Sequence, residues 1–244
     1  MHILLRKLKR LHDLSEEEQE ALVAALGRPR SMNRGDDIVV DGSMPNRATV
    51  LLSGTACRYK ILPGGKRHIL AFQHPGDMTD LYSYVLKRVD HGIGALSVVE
   101  VADIRHDAIA ALSAKYPRLA YAFWRDTMID MAILQHWALG QGRDTVERVA
   151  NMLCEVFARL DAVGLAEPGK PLPFQATQLD LADALGFSLV HVNKTLAVLR
   201  RGGLIGRATV GLEVLDWDGL KKAARFDARY LHFKPLEPAA KALE

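Results

Sequence analysis

Along the chain the spacing of apolar residues changes period twice, and each change marks a different kind of element. From Leu14 to Leu26, LSEEEQEALVAAL places Ser15 as an N-cap ahead of acids in the first turn and apolar residues after them. That order predicts an amphipathic helix, closed by Gly27. From about Arg34 to Ile104 the runs DIVVDG, ATVLLSGTACRYKIL, KRHILAFQHPGD and LSVVEVADI are β-rich and divided by Gly, Pro and Asn. Their spacing predicts an antiparallel sandwich or barrel, with hairpin turns at Pro63 to Gly65 and at Gly54. A β-roll of this length has an interior able to hold a ligand.

After Asp107 the helical period returns. Pro117 stands at a helix start, and Arg118 to Leu139 carries two apolar stripes: Tyr121, Trp124, Met128, Met131 and Ala138 on one, Ala120, Phe123, Leu134 and Trp137 on the next. A helix wet on one side does not need so wide an arc. One stripe is therefore expected on the β-roll and the other on the same helix of a second subunit; the alternative is a helix buried within one chain. Gly140, Gln141 and Gly142 interrupt the pattern as a hinge. Thr145 to Leu160 then predicts a helix with Val149, Met152, Leu153 and Phe157 inward.

Gln178 to Arg201 reads as two short helices and a tight turn. Thr177 caps the first, with Asp180 three positions on, and Leu179, Leu181, Ala182 and Leu185 give it an apolar side. Gly186 ends it and Ser188 caps the second helix. There Val192, Leu196 and Leu199 form a buried stripe, while Val190, Lys194, Ala197 and Arg201 lie opposite, flanked by His191 and Asn193. This outward face contains no acid from Ser188 to Arg201 and ends in Arg200 and Arg201. Such a face enters a DNA major groove without repulsion from phosphates. Gly202 and Gly203 stop the helix, two short β runs follow around Val210 and Gly211, and Asp216 caps a last amphipathic stretch. Helix, turn, helix and β-hairpin in that order make a winged helix-turn-helix. The alternatives are an ordinary helical hairpin inside a helical domain, and a small-molecule-binding module whose helix-turn-helix makes protein contacts only.

Charge favours the nucleic-acid reading. Ser188 to Lys234 holds nine Lys or Arg against four Asp or Glu, whereas the whole chain is only +3, so the rest is net acidic. The longest run free of charged residues, Met131 to Gly142, is too short to span a bilayer, and the start MHILLRKLKRLHDL lacks a secretory hydrophobic core. These features place the protein in the cytoplasm, away from the membrane. Cys57 and Cys154 are the only cysteines, without CxxC spacing, which argues against structural zinc or iron-sulfur chemistry and treats both as small hydrophobes. His68, His74 and His91 lack the HxH spacing of a cupin metal site and are expected at the surface or rim. No Gly-x-Ser-x-Gly elbow or phosphate loop appears, so the chain is not expected to be an enzyme.

The order of parts resembles the CRP/FNR family of bacterial transcription regulators, most specifically in LLSGTACRYK, in Pro75 to Asp77 and in LADALGFSLVHVNKTLAVLRRGGLI. The resemblance implies an α+β chain with an N-terminal antiparallel β-roll sensor like a cyclic-nucleotide-binding jelly roll (residues 1–115), a long dimerisation helix (116–140) and a C-terminal winged helix-turn-helix (141–244). It also implies a homodimer, double-stranded DNA and RNA polymerase as partners. Carried over by position, base reading falls on Leu189, Val190, Asn193 and Lys194, and phosphate contacts on Ser188 and His191. Arg200, Arg201 and Arg207 are assigned to the DNA backbone by charge. Val190 stands where acid-bearing relatives accept from cytosine, and Lys194 replaces a forked arginine, so a different operator is expected. The sensor also departs, since MTDLYSYVLKRVDHGIGALS lacks the Gly-Glu-Leu and Arg-Ser or Arg-Thr pattern and places Asp80 near the phosphate position. That implies a ligand other than cAMP, whose identity the sequence leaves open.

Overall fold

The computed structural model describes residues 1–208 and 211–234. Two helices open the chain, α1 (Ile3–Leu11) and α2 (Glu16–Ala24). Ser15 and Glu18 exchange the two hydrogen bonds of a capping box at the start of α2, at 2.7 and 3.3 Å. The first helix was concealed by its charge. Leu4, Leu8 and Leu11 face inward together with Lys7, whose ammonium is buried among acids contributed by distant parts of the chain.

The β-roll comprises β1 (Arg30–Met32), β2 (Asp37–Val39), β3 (Arg47–Ser53), β4 (Ala56–Ile61), β5 (Arg67–Gln73), β6 (Gly92–Ala95) and β7 (Val99–Arg105). It therefore begins before Arg34. Its two antiparallel sheets run β1-β7-β3 and β2-β6-β4-β5. The β4–β5 hairpin turns at Gly64 and Gly65, both at positive φ, with Ile61 opposite Arg67. Gly54 does not make a second hairpin, because β3 pairs with β7 whereas β4 lies in the other sheet. It turns the corner between the sheets at φ +85°, where a Cβ would come within 2.4 Å of the Val98 carbonyl oxygen. Strand β6 escapes a hydrophobic reading for a similar reason: Gly92 and Gly94 lie against the Tyr59 ring, where a side chain has no room. A short helix, α3 (Ser83–Leu86), precedes it.

Helices α4 (His106–Lys115) and α5 (Pro117–Leu139) follow, then a single 3-10 turn over Gly140–Gly142. The outer face of α5 leaves Trp124 65 %, Met131 50 % and Leu139 77 % exposed. Its inner face is Leu119, Ala122, Phe123, Asp126, Ile129 and Ile133, so the expected second stripe needs correction. Phe123 is buried and Trp137 half-buried, but Leu134 is exposed and Ala120 only half-buried. The buried seam passes through Asp126, which pairs with Lys7 at 2.6 Å, and a purely apolar pattern skips that position.

The remaining elements are α6 (Thr145–Ala162), α7 (Gln178–Leu185), α8 (Leu189–Arg201), β8 (Ile205–Arg207), β9 (Leu212–Val214) and α9 (Trp217–Ala224). The β8–β9 pair is antiparallel, with Arg207 opposite Leu212; the expected turn residue Val210 and residues 235–244 lie outside the described residues. After α9 the chain returns to α5, where Tyr230 stacks on His136 at 3.8 Å between ring centroids. The β-roll and the C-terminal helices share a core. Cys57, Ile69 and Phe72 of the β-roll share one apolar cluster with Leu153, Phe174, Leu181 and Leu196. Among the described residues no helix is long and apolar enough to cross a membrane.

Candidate nucleic-acid interface

Local chemistry sets α7 and α8 in place. Thr177 and Asp180 form a capping box at the start of α7, with the Thr177 N–H donating to Asp180 Oδ2 at 2.7 Å and the Asp180 N–H to Thr177 Oγ1 at 3.2 Å. Gly186 ends α7 in the left-handed region at φ +69°. Two residues on, Ser188 Oγ accepts from the His191 N–H at 3.3 Å and starts α8. Between them the Phe187 ring lies 4.4 Å from the Arg148 guanidinium. Leu181, Ala182 and Leu185 from α7 meet Val192, Leu196 and Leu199 from α8, and all six are buried. Leu179 is the exception, since it points away from this core and is 56 % exposed.

The opposite side of α8 is open. Ser188, Leu189, Val190, His191, Asn193, Lys194 and Arg201 are exposed, as is Arg207 on β8. Arg200 is half-buried, with an unpartnered Nε, and burial together with the nearby Arg207 charge lowers its pKa. The exposed set changes character along the helix: Leu189 and Val190 are apolar, Asn193 and Lys194 can donate hydrogen bonds, and the guanidiniums gather at the far end. Helix α8 has no acid, and its capped N-terminus adds the positive end of its dipole. A protruding helix of this width fits a major groove about 12 Å across.

The β-roll interior combines an apolar cluster of Leu51, Ala56, Ala95, Val99 and Val101 with a set of buried polar side chains. Arg58 on β4 is buried, donates to the Thr79 carbonyl oxygen at 2.9 Å and pairs with Asp130 on α5. The Tyr82 ring lies 5.5 Å from this guanidinium, and its hydroxyl is 2.9 Å from His91 Nε2. Asp80 is fully buried and accepts from the Thr49 N–H at 2.6 Å; burial pushes its carboxyl up to about 6. His74 corrects the expectation of surface histidines. It is 1 % exposed beside Phe174, neither ring nitrogen has a partner, and burial followed by the Arg159 charge lowers its pKa to about 3. Among the described residues no cluster of His, Cys, Asp or Glu is placed to hold a metal ion. Both cysteines are buried free thiols, with Cys57 pushed up to about 12 by burial, so neither is a ready nucleophile.

Sequence patterns missed the charges that join the parts. Asp77 receives Lys7 at 2.9 Å and Arg159 at 2.7 Å, and these cations overcome burial to hold its carboxyl below the usual range. Arg34 and Arg67 from the β-roll reach Asp180 on α7 at 2.7 and 2.5 Å. Only the PGD turn and the capping box hinted at either acid.

Comparison with known proteins yields two family matches, a cyclic nucleotide-binding domain over residues 29–116 and a Crp-like helix-turn-helix domain over residues 147–223. Among curated relatives, the nitrogen fixation regulation protein FixK of Azorhizobium caulinodans is 29% identical over 185 residues, 75% of this chain and 73% of that protein. The transcriptional activator protein FnrL of Cereibacter sphaeroides is 22% identical over 193 residues, 78% of this chain and 77% of its own length. In fold the chain is similar to FixK2 from Bradyrhizobium japonicum, with a TM-score of 0.69 and 24% identity over 80% of this chain and 96% of that one.

Proposed function

The chain belongs to the CRP/FNR family of transcription regulators, and from that premise we propose that it acts as a homodimer on a roughly palindromic DNA operator. In this reading residues 1–115 sense, residues 116–140 dimerise and residues 141–244 bind DNA. The observation that carries it is the acid-free outer face of α8, exposed from Ser188 to Lys194 while its other face is buried. Leu189, Val190, Asn193 and Lys194 read base edges, Ser188 and His191 contact phosphates, and Arg200, Arg201 and Arg207 grip the backbone. The apolar outer face of α5, with Trp124 and Met131, takes the second subunit. The protein works in the cytoplasm with RNA polymerase as a partner. Its effector is not cAMP, a reading supported by Arg58, a buried cation already paired with Asp130 beside the Tyr82 ring, and by the buried Asp80.

The test is Lys194→Ala, measured by binding to operator and to unrelated duplexes. Loss of a base contact costs about 1 to 3 kcal/mol and relaxes preference at one position. A uniform loss across all sequences makes Lys194 a phosphate contact. Absence of DNA binding by the unaltered protein leaves the helix-turn-helix to protein contacts and defeats the proposal.

A further inference from the structure

From the contacts between β5 and α7 we infer that Arg34 and Arg67, both in the sensor, are positioning residues for DNA binding: they latch α7 to the β-roll and so fix the direction of α8. This rests on the regulator reading and adds what aims the recognition helix.

The latch is built on a carboxylate that the DNA-binding part cannot satisfy with its own cations. Asp180 is wholly buried, and its oxygens serve both the α7 cap and two sensor guanidiniums. Arg34 reaches Oδ2 at 2.7 Å while also donating to the Leu96 carbonyl oxygen, and Arg67 reaches Oδ1 at 2.5 Å. Arg67 Nε donates to Asp183 one turn later at 2.9 Å, so one guanidinium spans two carboxylates of α7. Neutral contacts continue the seam: the Gln175 N–H donates to Thr55 Oγ1 at 3.0 Å, and Phe72 meets Phe174 edge to face at 5.0 Å.

Position gives these contacts their leverage. At Gly140 and Gly142 the backbone is open, since a Cβ added at either would meet nothing within 4 Å. The direction of the DNA-binding part is therefore set by what it touches beyond the turn: α5, through His136 with Asn151 and Trp137 with Glu155, and the β-roll. At the far end of β5, Arg159 of α6 donates to the Phe72 carbonyl oxygen at 3.1 Å and to Asp77 at 2.7 Å. At the near end, Arg67 holds α7. The contacts on α6 hold the base of this part, and those of Arg34 and Arg67 are the ones made to α7. Because α7 and α8 share a buried core, aiming α7 aims α8, and in this docked arrangement Val190 and Lys194 remain exposed. A dimer that holds both recognition helices in advance loses less freedom on meeting its operator. The side chains of Arg34 and Arg67 are 44 % and 30 % exposed, so solvent reaches the latch and it can open.

The experiment compares the full-length protein with Arg34→Ala/Arg67→Ala in operator binding, in non-specific DNA binding and in the rate of trypsin cleavage after Arg143, with circular dichroism as the folding control. We expect operator affinity to fall about ten-fold with little change in non-specific affinity, and cleavage at the hinge to accelerate. Asp183→Asn, which leaves the Asp180 cap intact, is the milder variant should the double variant fold poorly, and it is expected to move both readings the same way. Arg67→Lys, which keeps a cation beside Asp180 and Asp183, should retain most of both in a chain that keeps Arg34, which a loss unrelated to the ion pair would not explain. Unchanged or tighter operator binding by the folded alanine or asparagine variants, or hinge cleavage at the unaltered rate, overturns the inference. If the unaltered protein binds no DNA, the regulator reading falls on its own, and the cleavage rates still decide whether the latch holds the two parts together.

Discussion

His74 illustrates how a single residue can be misjudged by pattern and still be read by physics. As one polar residue before Pro75 it suggests a strand end at the surface, yet the chain buries it with both ring nitrogens unpartnered. A neutral imidazole tolerates this and a charged one does not, which is why its pKa falls to about 3. The unfolded chain takes up a proton near pH 6.5 and the folded chain does so only near 3, so stability is intact above that window and is lost as pH falls through it. At pH 5 this amounts to about 2 kcal/mol. Denaturant unfolding at pH 7 and pH 5 should therefore show a smaller acid loss for His74→Phe than for the unaltered protein; an identical loss would place the effect elsewhere. The same limit applies to Lys7, Asp77, Asp126 and Arg159. Each looks like a solvated charge until the partner that neutralises it is known, and every partner except the Glu155 beside Arg159 is distant in sequence.

At the scale of elements, local chemistry was legible and long-range packing was not. The caps at Ser15, Thr177, Ser188 and Asp216, and the Gly186 stop, stand where their side chains required, because a cap is decided within about four residues. The glycine strand β6 depends on what lies across the sheet, so no local signal marks it, and at Gly54 the sequence marks a turn but not that it joins two different sheets. Helix α5 lies between these cases. Tyr121, Trp124, Met128 and Met131 share one face, as their spacing implied, and that face is exposed, while the second stripe was misplaced because Asp126 belongs to the inner seam. If the outer stripe takes a second subunit, Trp124→Glu places two charges in one symmetric apolar interface. Sedimentation should then show a dissociation constant raised at least about a hundred-fold, with secondary structure retained. An unchanged dimer, or a monomer before mutation, would move the interface off α5.

At the scale of the whole molecule the sensor and the DNA-binding part are continuous, because β5 serves both, with Phe72 and Ile69 in the same cluster as Phe174 and Leu181. The proposed recognition residues were the most legible part of the site, since periodicity alone turned Val190 and Lys194 outward and Val192, Leu196 and Leu199 inward. What sequence concealed was how that helix is held, because Arg34 and Arg67 lie more than a hundred residues from Asp180. The measurement that bears most directly on the regulator account is selection of DNA by the purified full-length protein from a random or genomic pool. Enriched duplexes should share one two-fold symmetric site whose half-sites lie about 34 Å apart, one helical turn. Enrichment of a lone asymmetric half-site, or no enrichment over the starting pool, would contradict it.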